Sequence, residues 1–380
     1  MPLHFISILS ARFNSIFISL ERKLGPAGMV IFAGLILLLI AGLFTSPRWE
    51  LFYHGKGFTR LSENPFDFSD GNPLRYRILS PLIAYVTFLK GPLMKYLMLG
   101  ILGLFLGLVY SFHRKKNFMP AESFGIALLL SLTSLTFFQF HFPAYNDPLS
   151  YVLIMQFLMR PVNITGAIVI LSLMLFNHEN LIFLFPFLFM YRLWCKESHV
   201  TIRQNILVFV ASLIPYAAYR FVLNQYAKVD FDSSYYFQAS NIEWTLDHVS
   251  EWFGEGVFQA LRLAWLLPLA AIAIGLARKN YKDMAMISVC IVFVLSQMLI
   301  AFDISRLSAL AFPAVLIGAQ RVRETFGSKN FLNMLFLLII MQMLIPSKCI
   351  GALEPIPLPP FWWDDFQSII KDFFIRYETV

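Results

Sequence analysis

The sequence predicts an all-α fold, a polytopic transmembrane helical bundle of about 11 spans, and three observations predict it. Hydrophobic residues make up 58% of the 380 residues and charged residues only 14%, against about 25% charged in soluble domains. With a mean hydropathy of +0.66, the chain has too few polar groups to cover its own surface, so its solvent is mainly lipid. Second, the apolar residues come in unbroken runs. A membrane β-barrel would alternate them with polar ones, so barrels are excluded. Third, basic residues concentrate in alternate segments between the runs, the asymmetry expected of cytoplasmic loops.

Taken in order, the first element is an amphipathic helix (1–26). Ile6, Leu9, Phe13, Ile16, Phe17, Leu20 and Leu24 recur at helical spacing, with Arg12, Arg22 and Lys23 among them. Such a segment lies in the interface ahead of the first span. It is long for a signal-peptide n-region and lacks a convincing cleavage site, so it reads as an uncleaved anchor. Candidate spans follow at 27–44, 93–112, 122–140, 148–160, 164–177, 181–194, 204–224, 259–277, 284–302, 307–320 and 330–346. Several are short of the about 20 residues a full crossing needs, which points to half-helices or tilt. The run 78–90 is short and interrupted by Pro81, as in a re-entrant or juxtamembrane helix.

The chain thus divides into a multi-span membrane domain (1–346), which includes an extracytoplasmic loop (45–92), and a tail (347–380). The tail pairs a proline-rich stretch with Trp362 and Trp363, then Phe366, Ile369, Ile370, Phe373 and Phe374 on one helical face. It reads as a surface helix on the bilayer or a lid over a cavity.

Charge sets the topology. With the N-terminus inside, the cytoplasmic segments hold sixteen of the basic residues, among them Arg114, Lys115, Lys116, Arg278, Lys279, Arg321 and Arg323, and five acids. That is an excess of eleven, and the opposite face carries a deficit of four, which together give the net +7. The C-terminus then falls outside, and the pattern describes an integral membrane protein. The net charge follows topology, so it gives no reason to expect a nucleic-acid partner. Cys195, Cys290 and Cys349 are odd in number and far apart, and offer neither a disulfide framework nor a metal spacing. Phosphate-binding glycine loops, zinc spacings and nucleophile elbows are absent, so no cofactor is expected.

Four polar constellations fall on the outer face. The first loop carries Glu50, Glu63, Asp67 and Asp70, followed by Arg75-Tyr76-Arg77. A carboxylate there can serve as a general base. The arginines suit a lipid phosphate, because a guanidinium donates two parallel hydrogen bonds and keeps its charge. Local salt bridges to Asp67 or Asp70 and interfacial snorkelling are the plainer alternative. Asn146 and Asp147 precede Pro148, as in a helix cap, with His141 and Tyr145 close by. Asn177-His178-Glu179-Asn180 separates two short apolar helices, a costly arrangement unless it lines a cavity or reaches water. Asp303 and Arg306 stand three apart, where a helix lets them pair.

The order of these features resembles the GT-C superfamily of polytopic glycosyltransferases that use lipid-linked sugars, and in particular bacterial membrane proteins related to it. The residues that carry the resemblance are the first span, the acidic outer loop, Tyr76-Arg77-Ile78-Leu79-Ser80-Pro81-Leu82, the basic turn Arg114-Lys115-Lys116, the outer Asp147, His178-Glu179 and the Asp303/Arg306 pair. The likeness covers mainly 27–195, with an echo at 300–320. Two family features are missing: a paired acidic motif and the large soluble C-terminal domain of some members.

The resemblance implies transfer of a sugar from a polyprenyl-phosphate carrier to an extracytoplasmic acceptor. Glu50, Asp67 or Asp70 would be the catalytic base, and Arg75, Arg77 and Arg306 would hold the phosphate. Tyr76, Asp147, His178, Glu179 and Asp303 would line the substrate pocket. Partners would be the polyprenyl-phosphate-linked sugar and membrane lipid. A transporter or flippase of an anionic lipid or small solute, using the same arginines and broken helices, and a non-catalytic membrane scaffold are the alternatives.

Overall fold

Two glycines fix how the bundle is assembled. A Cβ on Gly34 would run into the backbone carbonyl of Gly103, and one on Gly107 into that of Val30. The first helix α1 (Pro2–Leu43) and α4 (Met94–Lys115) therefore cross backbone against backbone. Lipid tails are as apolar as leucine, so close packing of this kind, rather than expulsion from water, drives helices together in a bilayer. The computed structural model describes the chain apart from residues 1, 46, 70, 161–162, 195–199, 227–237, 352–354 and 361–380, with side chains described from residue 12 onward. The expected tail helix lies outside the described residues.

Between α1 and α4 come α2 (His54–Glu63) and the eight-residue α3 (Leu79–Val86). Then follow α5 (Pro120–Ser131), α6 (Ser134–His141), α7 (Asp147–Met159), α8 (Ile164–Asn177) and α9 (Phe185–Trp194). The second half holds α10 (Ile202–Tyr226), α11 (Ala239–Leu261), α12 (Leu266–Ala277), α13 (Tyr281–Ser296), α14 (Ile304–Ser308) and α15 (Phe312–Leu344). A two-stranded antiparallel ribbon, β1 (Ser347–Cys349) with β2 (Ile356–Leu358), closes the described chain.

Among the described residues, six helical segments are long and apolar enough to cross a membrane, or seven if α5 and α6, bent by 47°, form one span. The apolar runs predicted about eleven, and the differences have identifiable causes. The runs at 148–160 and 164–177 are helices of 13 and 14 residues. The run at 181–194 splits into a 3-10 segment, Glu179–Leu184, and the ten-residue α9. The runs at 307–320 and 330–346 fall in one helical stretch that breaks at Gly327, whose φ is 76°. Gly25 (φ 67°), followed by Pro26, likewise separates the amphipathic start of α1 from its apolar part. Hydropathy measures how apolar a run is and does not distinguish a full crossing from a half-helix.

The α5–α6 break leaves backbone carbonyls without helical partners, a cost that must be met by other donors inside an apolar bundle. Gln342 Nε2 donates to the carbonyls of Leu129 (2.7 Å) and Leu132 (3.0 Å), and Arg262 Nη1 donates to Leu132 (2.8 Å). The buried centre is aromatic: Phe105 of α4 packs 5.2 Å from Tyr151 of α7 and 5.1 Å from Phe312 of α15.

Contacts sort the bundle into two ends. At one, Arg114 pairs with Glu21 (2.6 Å), Arg323 with Glu122 (3.0 Å) and Arg321 with Asp283 (2.9 Å). Tyr191 and Lys282 add contacts to the Leu158 and Trp194 carbonyls there. The first loop, the α6–α7 and α8–α9 turns and α14 gather at the other end, the site of the polar cavity described next.

Candidate functional site

The geometry of the site begins with two asparagines. Asn177 Nδ2 donates to the Asn146 carbonyl (2.8 Å) and Ser150 Oγ (2.8 Å), Asn146 Nδ2 donates back to the Asn177 carbonyl, and Ser80 Oγ donates to Asn177 Oδ1 (2.6 Å). Asn146 therefore spends its side chain on the next turn and makes no cap bond to its own helix, contrary to the capping role its position suggests. This lock joins the starts of α7 and α3 to the end of α8, and it aims His178 and Glu179 inward.

The result is a cavity of about 420 Å³. Its polar lining comprises His54, Arg77, His178, Glu179, Asn180, Arg220, Asp303 and Arg306. Its apolar walls include Leu175, Ile182, Phe183, Leu213, Ile300 and Phe302. The α2 helix reaches the cavity because Gly55 lets it lie against the α6–α7 turn: a Cβ there would sit 2.5 Å from the Pro143 carbonyl oxygen.

Charges inside are arranged as two clamps. Arg77 forks onto Glu179, with Nε 2.9 Å and Nη2 2.7 Å from its carboxylate oxygens. Arg306 is shared: Nε donates to both oxygens of Asp147 (3.1 and 3.0 Å), Nη1 donates to Asp303 (3.0 Å), and Nη2 lies 3.4 Å from His178 Nε2. Its guanidinium also sits 4.9 Å from the centre of the Tyr145 ring, and Gln139 Nε2 donates to Asp147 (3.0 Å). Asp147 is 6% exposed, whereas Asp303 and Glu179 are 27% and 28% exposed, so only the latter two carboxylates can reach a ligand.

Electrostatics follow from burial and the arginines. Burial alone would raise the Glu179 carboxyl, but Arg77 overrides it and holds the group well below the usual carboxylate range. For His54, burial and then the positive charges of Arg77 and Arg306 bring the imidazole down from 6.5 to about 4. Burial, then Arg77, also keeps His178 well below 6.5. Both imidazoles are neutral at neutral pH.

Of the residues singled out in the sequence, Arg77, His178, Glu179, Asp303 and Arg306 meet in this cavity, with Asp147 directly behind Arg306. Tyr76 lies beside it, its hydroxyl donating to Asn224 Oδ1 (2.8 Å) and its ring 4.1 Å from the Arg220 guanidinium. Three candidates lie elsewhere. Glu50 is exposed in a bend after α1. Asp67 is exposed and folds onto Ser69, accepting from its hydroxyl (2.5 Å) and backbone N–H (3.1 Å). Arg75 is 1% exposed and donates to the carbonyls of Pro65 (3.3 Å) and Asp67, so it pins its own loop rather than facing the cavity. Asp70 lies outside the described residues.

The sequence reading missed His54 and Arg220. The signals were present: His54 opens "HGKG", whose two glycines mark a close backbone approach, and Arg220 follows Tyr216 and Tyr219 near the end of an otherwise apolar helix. Comparison of the chain with protein-family models, curated proteins and solved structures finds no match, so the site stands on its own chemistry.

Proposed function

We propose that the cavity binds the phosphate and first sugar of a polyprenyl-phosphate-linked donor, and that the protein is a GT-C-like glycosyltransferase. One observation carries the reading: three guanidiniums and two ligand-accessible carboxylates share a cavity that also holds two imidazoles and is walled on its other sides largely by apolar side chains. A lipid phosphate bearing a polar group combines these demands, since its anion needs fixed donors and its chain needs apolar surface. The basic end of the bundle fits the cytoplasm by the positive-inside rule, which supports a cavity at the outer leaflet, in this reading that of a bacterial inner membrane.

In this reading Asp303, the cavity carboxylate beside Arg306, accepts the proton of the acceptor hydroxyl. The acceptor oxygen forms its bond to the anomeric carbon. The bond from that carbon to the phosphate oxygen breaks, and its electron pair leaves with the polyprenyl phosphate. Arg306 and Arg220 hold that leaving anion, and preformed charges in a dry site lower the barrier most where charge develops. Glu179 keeps Arg77 in place and lines the sugar side. Glu50 and Asp67, away from the cavity, take no part.

A second reading has an observation of its own. Both ligand-accessible carboxylates are paired with arginine, which weakens them as bases and favours recognition of an anionic lipid without chemistry, as in a flippase. Purified protein in liposomes loaded with a polyprenyl-phosphate sugar separates the two. Transfer without lipid movement supports the enzyme, and D303N then lowers turnover by at least about a hundredfold with lipid binding retained. Movement of the lipid without transfer supports the flippase.

A further inference from the structure

We propose that Arg306 and His178 form a two-donor site for a single phosphate oxygen. The proposal rests on the preceding reading only for the ligand class, a phosphate ester; the site itself follows from a conflict of hydrogen-bond donors.

Both ring nitrogens of His178 face N–H groups. The backbone N–H of Asn180 points at Nδ1 (3.3 Å), and Nη2 of Arg306 stands 3.4 Å from Nε2. Neutral imidazole has one lone pair and one N–H, and arginine has donors only. One contact is therefore donor against donor in either tautomer, and a protonated ring would make both so. The Asn180 N–H opens the 3-10 segment Glu179–Leu184, where a backbone donor has no helical acceptor, and it is fixed in place. The lone pair accordingly belongs on Nδ1 and the proton on Nε2.

That assignment leaves two N–H groups converging from side chains of residues only 3% and 4% exposed, both lining the cavity. Asp147 and Asp303 already occupy Nε and Nη1 of Arg306, so neither carboxylate relieves the contact at Nη2. An oxygen placed between Nη2 and Nε2 converts the repulsion into two hydrogen bonds, one of them charge-assisted. Water would serve geometrically, but the Nη2 donor lies outside both carboxylate pairs of Arg306, and Arg220 lines the same cavity, which favours an anion. His178 is thus a ligand-binding donor whose orientation is set by Asn180.

The test uses the full chain in nanodiscs, with farnesyl phosphate and inorganic phosphate as probes. Wild type should bind farnesyl phosphate saturably. H178A should weaken binding by at least about tenfold, and H178Q, whose amide can donate from a similar place, should restore most of it. Competition by inorganic phosphate that also depends on His178 identifies a site for the phosphate group whatever its source. Binding of the farnesyl ester alone identifies a lipid phosphate.

Nitrogen-15 spectra of the imidazoles, with the His178 signal found by its absence in H178Q, should show a neutral ring protonated on Nε2. This measurement on wild type decides the question if H178A does not fold. Protonation on Nδ1, wild-type affinity in a folded H178A, or no binding of either phosphate overturns the proposal. Phosphate binding that needs His178 in a protein without transfer activity would retire the transferase and leave this site standing. Transfer in a protein whose phosphate affinity ignores His178 would do the reverse.

Discussion

Arg77 shows why a charged side chain in this protein has to be judged with its partner. Replacing it alone strands the Glu179 carboxylate in a half-buried position, so lost activity in that variant would not separate chemistry from folding. E179Q should destabilise the protein in detergent by about 2 kcal/mol, less than a fully buried pair because the carboxylate is partly wet. The double variant R77Q/E179Q should recover most of that loss in a melting curve. Full additivity of the two single losses would mean the pair is not coupled.

Acid separates the two titratable neighbours. The His54 pKa is lower folded than unfolded, so stability falls as pH drops from about 6.5 to about 4, by roughly 3 kcal/mol in all. H54N should flatten that part of the profile. The Glu179 contribution is present above its ordinary value of 4.5 and is lost only as pH falls below it toward the depressed folded value. E179Q should therefore change the profile below 4.5 and leave the His54 window intact.

Helices meet in this bundle where glycine permits it, and the crossing of α1 with α4 is the clearest case. G34V would force a branched side chain into the Gly103 backbone, so it should cost about 2 kcal/mol or prevent assembly. Gly100 lies on α4 where an added Cβ would meet nothing within 4 Å, so G100A should be neutral or slightly stabilising. Equal behaviour of the two variants in thermal melts would argue against the crossing.

Which parts were legible follows the same physics. Polar residues stand out against an apolar background, so Asp147, His178-Glu179 and the Asp303/Arg306 pair were visible as a set. The i,i+3 pairing of Asp303 with Arg306 was legible from spacing and forms (3.0 Å); the long-range pairings were not. The sequence offers Arg77 as a phosphate donor or, in the plainer alternative, as the partner of nearby Asp67 or Asp70, yet its carboxylate comes from the α8–α9 turn 102 positions away. Arg75, two residues earlier, turns into its own loop. Chain continuity holds local pairs close, whereas the partner across the cavity depends on how α3 and α8 pack, which no local pattern encodes. The helix breaks at Gly25 and Gly327 depend on positive φ, which glycine permits but does not announce.

The two ends of the bundle make a prediction about topology. A cysteine in place of Ser69 should react with a membrane-impermeant maleimide in intact cells, and one in place of Lys115 only after lysis. With Cys195 replaced by serine, the other two native cysteines, Cys290 and Cys349, are buried and should contribute little background. The opposite labelling pattern would put the cavity on the cytoplasmic side and remove an extracytoplasmic acceptor from the proposal.

Across the molecule, everything rests on the cavity being where an anionic lipid binds. Photo-crosslinking in native membranes with a farnesyl phosphate that carries a diazirine near the headgroup asks this without altering any residue. Label should concentrate in the peptides containing Ile182 and Phe183, Leu213, and Ile300 to Phe302, and unmodified farnesyl phosphate should compete it away. Label spread over the lipid-facing surfaces of α1 and α13, with no excess at the cavity and no competition, would contradict the proposed site.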